Sequence, residues 1–205
     1  MEQTPLLIVG LILFGYACGL IPTGVLLTRS RGIDLRTAGS GNTGATNVLR
    51  TAGIGLGIAT LMGDVVKAAL PTGVAWIVTG GIEPASIVGL AAVVGHCFPI
   101  TTGFHGGKGV ASALGVLLMV TPAAAGLAVV TFALVVAATR IVSAGSLASA
   151  LVACGAAILL GAAPTTTSCT IAMAAIIWTR HRANITRLIA GTEPRLSMPR
   201  KQASA

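Results

Sequence analysis

The chain has 205 residues, 54% of them hydrophobic and 9% charged, with a mean hydropathy of +0.92. That leaves too little polar surface to cover a water-soluble globule, so the fold class is all-α integral membrane, with lipid as the solvent. The formal charge of +8 invites a nucleic-acid reading, but the cations sit beside apolar spans and aromatics make up only 3%, so no set of rings exists for base stacking and nucleic acid is excluded as a partner.

Met1-Glu2-Gln3 has no basic region and leads directly into an apolar stretch at 5 to 27, which reads as a first anchor rather than a cleaved signal peptide. Further predicted spans lie at 54 to 78, 85 to 100, 110 to 121, 122 to 139, 142 to 161 and 165 to 179, about seven transmembrane helices in all. The fourth and seventh are short, and the fourth is either a full crossing or a half-span that enters and returns. Gly80-Gly81, Pro122 and Pro164 mark hairpin turns. Cys18, Cys97, Cys154 and Cys169 form no C-x-x-C pair and read as small buried hydrophobes, not as metal ligands or disulfides.

Lys and Arg are retained on the cytoplasmic side in short loops. Arg29, Arg31, Arg36 and Arg50 follow span one, Lys108 follows span three, Arg140 follows span five, and Arg180, Arg182, Arg187, Arg195, Arg200 and Lys201 follow span seven. These all share one side if the N-terminus is outside and the C-terminus cytoplasmic. The opposite connections carry no Lys or Arg, and only Lys67 is left over, inside span two. Asp64 and Lys67 are neighbours on one helical face, either a self-neutralising pair facing the bundle interior or a direct contributor to substrate binding. The abundance of Gly, Ala, Ser and Thr allows close helix packing in lipid.

Three polar segments carry the chemistry. The first, Gly39-Ser40-Gly41-Asn42-Thr43-Gly44-Ala45-Thr46-Asn47-Val48-Leu49-Arg50, formally matches G-x-G-x-x-G but lacks the strand and β-α-β unit that dinucleotide binding requires. Its glycines, the donors Ser40, Asn42, Thr46 and Asn47, and Arg50 instead fit an anion cradle. The second runs from Gly95-His96-Cys97-Phe98-Pro99 to Gly106-Gly107-Lys108-Gly109-Val110-Ala111-Ser112. It fails the Walker A pattern, because Thr102 stands at the first glycine and Gly109 at the Ser or Thr that binds magnesium. Gly106-Gly107-Lys108-Gly109 at the start of an apolar helix still makes an oxyanion site from N–H groups, the positive helix end and an ammonium. The third, Arg180 to Glu193, is a membrane-proximal basic helix with His181, Asn184 and Leu188 on one face. Binding anionic lipid would explain its arginines but not Asn184 or Glu193.

In order and spacing the three segments resemble the signature blocks of the bacterial acyl-phosphate:glycerol-3-phosphate acyltransferase family. The resemblance rests on Ser40-Gly41-Asn42-x-Gly44-Ala45-Thr46-Asn47-x-x-Arg50, on Gly95-His96-x-Phe98-Pro99 with Gly106-Gly107-Lys108-Gly109-Val110-Ala111, and on His181-Arg182-x-Asn184-Ile185-x-Arg187-Leu188 with Gly191 and Glu193. Ile21-Pro22-x-Gly24, Asp64-x-x-Lys67 and Val142-Ser143-x-x-Ser146 support it. His105 and Ser112 depart from the usual Lys or Arg and Thr.

The resemblance implies a seven-helix protein of the bacterial plasma membrane, its active site facing the cytoplasm. It implies transfer of a fatty acyl group from acyl phosphate to glycerol 3-phosphate, giving lysophosphatidic acid and phosphate at the start of phospholipid synthesis, with no cofactor, acyl-CoA or metal. The partners are those two substrates and the lipid bilayer. The chain is expected to form a single membrane-embedded acyltransferase domain over 1–205, with 196–205 a disordered cytoplasmic tail. Lys108, His181 and Asn184 are the candidate catalytic residues. Ser40, Gly41, Asn42, Gly44, Thr46, Asn47, Arg50, His96, Gly106, Gly107, Gly109, Ser143, Arg182, Arg187 and Glu193 are the candidates for substrate binding, His96 being either a contact or a structural tie for the second loop. The residues agree independently: no H-x-x-x-x-D and no G-x-S-x-G elbow is present. A transporter would need polar residues inside several spans, and only Asp64 and Lys67 qualify.

Overall fold

The computed structural model describes residues 5–196; the tail expected from 196 onward therefore lies, from 197, outside the described residues. The described part is all-helical, with ten α-helices and one short 3-10 turn. In chain order these are α1 (Pro5–Gly19), α2 (Thr23–Arg29), α3 (Ala45–Ala52), α4 (Ile54–Thr79), α5 (Ile82–Cys97), α6 (Val110–Val120), α7 (Pro122–Thr139), α8 (Val142–Leu159), α9 (Pro164–Arg180) and α10 (Arg182–Ile189). Five stretches are long and apolar enough to cross a membrane: Pro5–Arg29, Ile54–Thr79, Ile82–Thr102, Pro122–Thr139 and Val142–Leu159. With 11 and 17 residues, α6 and α9 are shorter.

Two local expectations change. The stretch predicted at 5 to 27 is two helices, not one, because Pro22 lacks an N–H and disfavours helical backbone at Ile21, so α1 stops and α2 restarts. The segment after Gly44, read as loop, folds into α3, a short amphipathic helix that buries Asn47 and Val48.

The break leaves the Ile21 carbonyl without a helical partner. Lys67 of α4 supplies one, its Nζ donating at 2.8 Å, while the same ammonium lies 2.7 Å from Asp64 Oδ1. Both side chains are buried. Asp64 and Lys67 are thus a neutralised pair that also splices α1 to α2. Removing one partner of such a pair typically costs about 3–5 kcal/mol, because the other charge is left unpaired in low dielectric. The four cysteines are free thiols, with Cys97 and Cys169 buried.

Lipid supplies no hydrophobic drive between helices, so packing depends on close backbone approach at small residues. α1 packs on α5, and α4 packs on α5 and α6, while α7 lies chiefly against α8. A Cβ at Gly95 would stand 2.3 Å from the Tyr16 carbonyl oxygen, and one at Gly115 2.2 Å from that of Val65. Gly115→Ala is therefore expected to push α6 off α4 and lower the detergent Tm, with an overpacking cost of about 1–3 kcal/mol. Gly155→Ala, where a Cβ meets nothing within 4 Å, serves as the control; equal melting of the two variants would refute the close α4–α6 seam.

Candidate active site

The first polar segment is organised by Asn47, which is 2% exposed. Its Oδ1 accepts the Ser40 N–H at 2.9 Å, and its Nδ2 lies 2.8 Å from Asn42 O, 3.0 Å from Ala38 O and 3.3 Å from Leu35 O. Gly39, at φ 61°, is required beneath it, since a Cβ there would meet Asn47 Oδ1 at 2.3 Å. Asn42 Oδ1 accepts the Gly44 N–H at 2.9 Å. Asn47, read from sequence as a ligand donor, has its polar atoms engaged within the loop. Among the described residues, Ser40 Oγ, Asn42 Nδ2 and Thr46 Oγ1 keep no protein partner, and all three residues line the cavity described below. Arg50 on α3 reaches across to the Pro194 carbonyl at 3.4 Å.

The second segment turns sharply before α6. Gly107 N–H donates to His96 O at 3.0 Å, so it is not the free oxyanion donor expected from sequence. Gly109, at φ 84°, starts α6, whose first-turn N–H groups have no helical acceptor. The Lys108 ammonium donates to Asn184 Oδ1 at 2.6 Å and, among the described residues, forms no salt bridge. His96 does tie this loop down: its carbonyl holds Gly107, and a Cβ at Gly107 would lie 2.1 Å from its Nε2. Tyr16 reinforces the fastening from α1 by donating to the Phe98 carbonyl at 3.0 Å.

The third segment bends between α9 and α10 at His181, which is 3% exposed. His181 Nδ1 lies 2.7 Å from Ile177 O. A carbonyl only accepts, so Nδ1 carries the proton and Nε2 presents a lone pair. Burial first, with the nearby Lys108 charge, takes the imidazole down to about 4 despite the Ile177 bond and Glu193, leaving it neutral at pH 7. Glu193 gathers three donors: Asn184 Nδ2 at 2.5 Å and Ser143 Oγ at 2.7 Å on Oε1, and Arg187 Nε at 2.7 Å on Oε2. Burial alone would push this carboxyl up, but those hydrogen bonds and the Arg187 charge together hold it below the usual range. Leu196 N–H donates to Arg140 O at 2.6 Å, drawing the chain across the same end of the bundle.

These segments enclose a cavity of about 1460 Å³. Ser40, Gly41, Asn42, Gly44, Thr46, Asn47, Arg50, His96, Gly106, Lys108, Gly109, Ser143, His181, Asn184, Arg187 and Glu193 all line it. Gly107 turns toward the His96 ring instead, and Arg182 is exposed on α10 away from the lining, so its position gives no support to a substrate contact. Sequence reasoning left out Arg36, Arg180 and Arg195, which also line the cavity; Arg180 stands next to His181 and was visible as the start of the third segment. His105 lies at the rim with Nδ1 2.7 Å from Gly103 O. Away from the cations the cavity becomes apolar, walled by Leu114, Leu117, Phe132, Ala150, Ala153 and Met173 from α6 to α9. A cationic mouth on an apolar slot suits a molecule with an anionic head and a hydrocarbon tail.

A glycine-shaped cationic site set into a multi-helix apolar bundle defines the class: an integral membrane protein with a site suited to amphiphilic anions. The family model described as "Glycerol-3-phosphate acyltransferase" matches residues 9–191. Proteins of that name are 48% identical over 185 residues in Geobacter sulfurreducens, covering 88% of this chain and 93% of that one, and 46% identical over 187 residues in Myxococcus xanthus, covering 90% and 97%. The crystal structure of PlsY (YgiH), an integral membrane glycerol 3-phosphate acyltransferase, in its glycerol 3-phosphate form superposes with a TM-score of 0.89 at 36% identity, covering 93% of this chain and 96% of that one. Its lysophosphatidic acid form gives 0.87 at 34%, covering 93% and 95%. The chain belongs to the glycerol-3-phosphate acyltransferase family, as the three blocks indicated.

Burial lowers Lys108 from the ordinary 10.5 to about 8; Glu193 opposes this, and Arg187, Arg50 and Arg180 add to it. A lowered lysine is charged below that value and neutral above it. Amine-reactive labelling of Lys108, read by mass spectrometry, should therefore reach half its maximum near pH 8, and inorganic phosphate should move the midpoint upward by stabilising the ammonium. A midpoint near 10.5 without added anion would contradict the buried setting with no carboxylate in contact.

Proposed function

We propose that this chain transfers a fatty acyl group from acyl phosphate to glycerol 3-phosphate, releasing 1-acyl-glycerol 3-phosphate and phosphate at the cytoplasmic face of a bacterial plasma membrane. The observation that carries the reading is the Lys108 ammonium, oriented by a neutral amide and, among the described residues, without a salt bridge, at the mouth of α6 where the cavity passes from cationic to apolar. Family membership and the glycerol 3-phosphate and lysophosphatidic acid forms of PlsY support the acceptor and product. The donor is carried by the three signature blocks, whose resemblance implies acyl phosphate.

The apolar half of the cavity takes the acyl chain. Below Ser143, which marks the polar end, Ser146, Ser149, Ala150 and Ala153 of α8 line the cavity on successive turns, and along the antiparallel α9 so do Ile177, Ala174, Met173 and Thr170. From Ser143 to Ala153 the helical rise gives a slot about 15 Å deep. In the polar half, Lys108 and the first-turn N–H groups of α6 hold the acyl-phosphate end. Ser40, Asn42, Thr46 and Arg50 hold glycerol 3-phosphate.

The acceptor hydroxyl oxygen attacks the acyl carbonyl carbon, the carbon–oxygen bond to phosphate breaks, and the bonding pair leaves on the phosphate. His181 Nε2 accepts a hydrogen bond from the attacking hydroxyl and so orients it. Its low basicity leaves the proton to an oxygen of the departing phosphate, and no covalent intermediate on the protein is required. Catalysis rests on positioning and on charge placed where phosphate gains it.

The described residues act as one membrane-embedded domain, with α6 and α9 completing seven crossings, the N-terminal side of α1 outside and the loop after α10 cytoplasmic. In a cysteine-free background, single cysteines at Thr43 and Thr192 should be shielded from an impermeant thiol reagent in intact cells, and one at Gly81 should react. Labelling of Thr43 and Gly81 from the same side would overturn this arrangement.

The direct test of the reaction is phosphate release by protein purified in detergent. Acyl phosphate with glycerol 3-phosphate should support turnover, and acyl-CoA should not. Lys108→Ala should purify normally and lose ~10²- to 10³-fold in kcat, about 2.7 to 4 kcal/mol of transition-state stabilisation. Lys108→Arg should also be impaired, because a planar fork does not replace a point charge among glycines. Turnover with acyl-CoA alone would overturn the donor assignment, and a wild-type rate in Lys108→Ala would remove Lys108 from the chemistry.

A further inference from the structure

We propose that Arg180 is a positioning residue of this reaction, fixing the backbone from which Lys108 projects without touching substrate itself. The inference rests on the catalytic reading of Lys108 given above. Arg180 closes α9 and is half-buried at the cavity wall. Its Nε donates to Gly107 O at 3.0 Å and its Nη2 to Gly106 O at 2.7 Å, so one planar guanidinium grips two successive carbonyls. The opposite face of the same turn is held by His96, whose carbonyl takes the Gly107 N–H at 3.0 Å. A trans peptide points its C=O and N–H in opposite directions. The peptide between Gly106 and Gly107 is therefore strung between Arg180 and His96, and the next peptide, anchored by Arg180 through Gly107 O, has its Lys108 N–H directed away from the guanidinium.

The Phe98 ring lies beneath, with the guanidinium carbon 5.3 Å from its centroid, and so limits where the fork can sit. No side chain could replace hydrogen at either glycine: a Cβ at Gly106 would lie 2.2 Å from His96 O, and one at Gly107 2.1 Å from the His96 ring. The residue four places beyond Arg180 is Asn184, which holds the Lys108 ammonium itself. The α9–α10 corner thus grips Lys108 twice, by the backbone just before it and by the end of its side chain. A lysine at 180 keeps the charge but loses the planar two-point fork.

The test is a double-mutant cycle on purified full-length protein with acyl phosphate and glycerol 3-phosphate. Arg180→Lys should fold with an unchanged elution profile and lose about 10- to 100-fold in kcat, the scale of an ångström-level misplacement, with little change in KM for either substrate. In the Lys108→Ala background the same change should cost no more than about twofold, since its effect runs through Lys108. Phe98→Leu, which leaves the fork but removes the ring under it, gives a second cycle if Arg180→Lys cannot be purified. Its kcat should fall severalfold, and this fall should vanish in Lys108→Ala. Additive losses in either cycle would overturn the proposal, as would wild-type kcat in Arg180→Lys or a rise in KM alone, which would assign Arg180 to direct phosphate contact. Wild-type turnover in Lys108→Ala is a separate result, removing the underlying reading of Lys108 and this inference with it.

Discussion

A lysine whose ammonium is held by a neutral amide is the interaction on which the polar half of this protein depends. A carboxylate in contact with Lys108 would neutralise the charge proposed to meet phosphate, and no partner at all would leave an ammonium buried without a hydrogen bond. Asn184 resolves the conflict by offering Oδ1 to Lys108, and it can do so only if its Nδ2 faces an acceptor elsewhere. Glu193 is that acceptor, and Ser143 and Arg187 hold its carboxylate in place. Four elements, the α6 mouth, α8, α10 and the segment after it, therefore meet around one amide orientation.

The apolar half obeys a different constraint. With lipid on the outside, helices gain nothing from hiding leucine, and the bundle is built on glycine and alanine seams that let backbones touch. The interior ion pair of Asp64 with Lys67 does two jobs: it cancels its own charge, and it feeds the carbonyl released where Pro22 interrupts the first span. A rigid seam on one side and a capped break on the other leave the polar loops attached to fixed points, with Tyr16 and His96 fastening the second loop to α1 and α5.

Much of this was legible in the sequence because lipid imposes long apolar runs, and because phosphate chemistry concentrates glycine, small donors and cations in the loops between them. The spans, the three blocks and the Asp64–Lys67 adjacency all come from such local patterns. What escaped was whatever depends on a partner far away in the chain. Asn47 and the Gly107 N–H have the composition of ligand donors, but both are engaged inside the protein, and only the folded loop shows which donors remain. Arg180 sits in a recognisable block, yet its targets are backbone carbonyls 73 and 74 residues away, which no side-chain pattern can announce. The interruption at Pro22 was visible as a proline, but hydropathy averages across it.

Two helix ends differ in a way that the proposed orientation connects to biogenesis. α4 and α7 both end on a left-handed residue, Gly80 at φ 65° and Arg140 at φ 62°. Glycine adopts that geometry freely, whereas a residue with a side chain is disfavoured there by roughly 1–2 kcal/mol. The glycine stands at a connection with no cations, and the arginine stands where the chain's other cations gather, its carbonyl taking the Leu196 N–H. A glycine at 140 would relax the finished backbone, but it would leave a nascent hairpin with one fewer charge for the insertion machinery to hold back. On the orientation proposed above, the residue at the end of α7 thus serves insertion at the expense of an unstrained backbone.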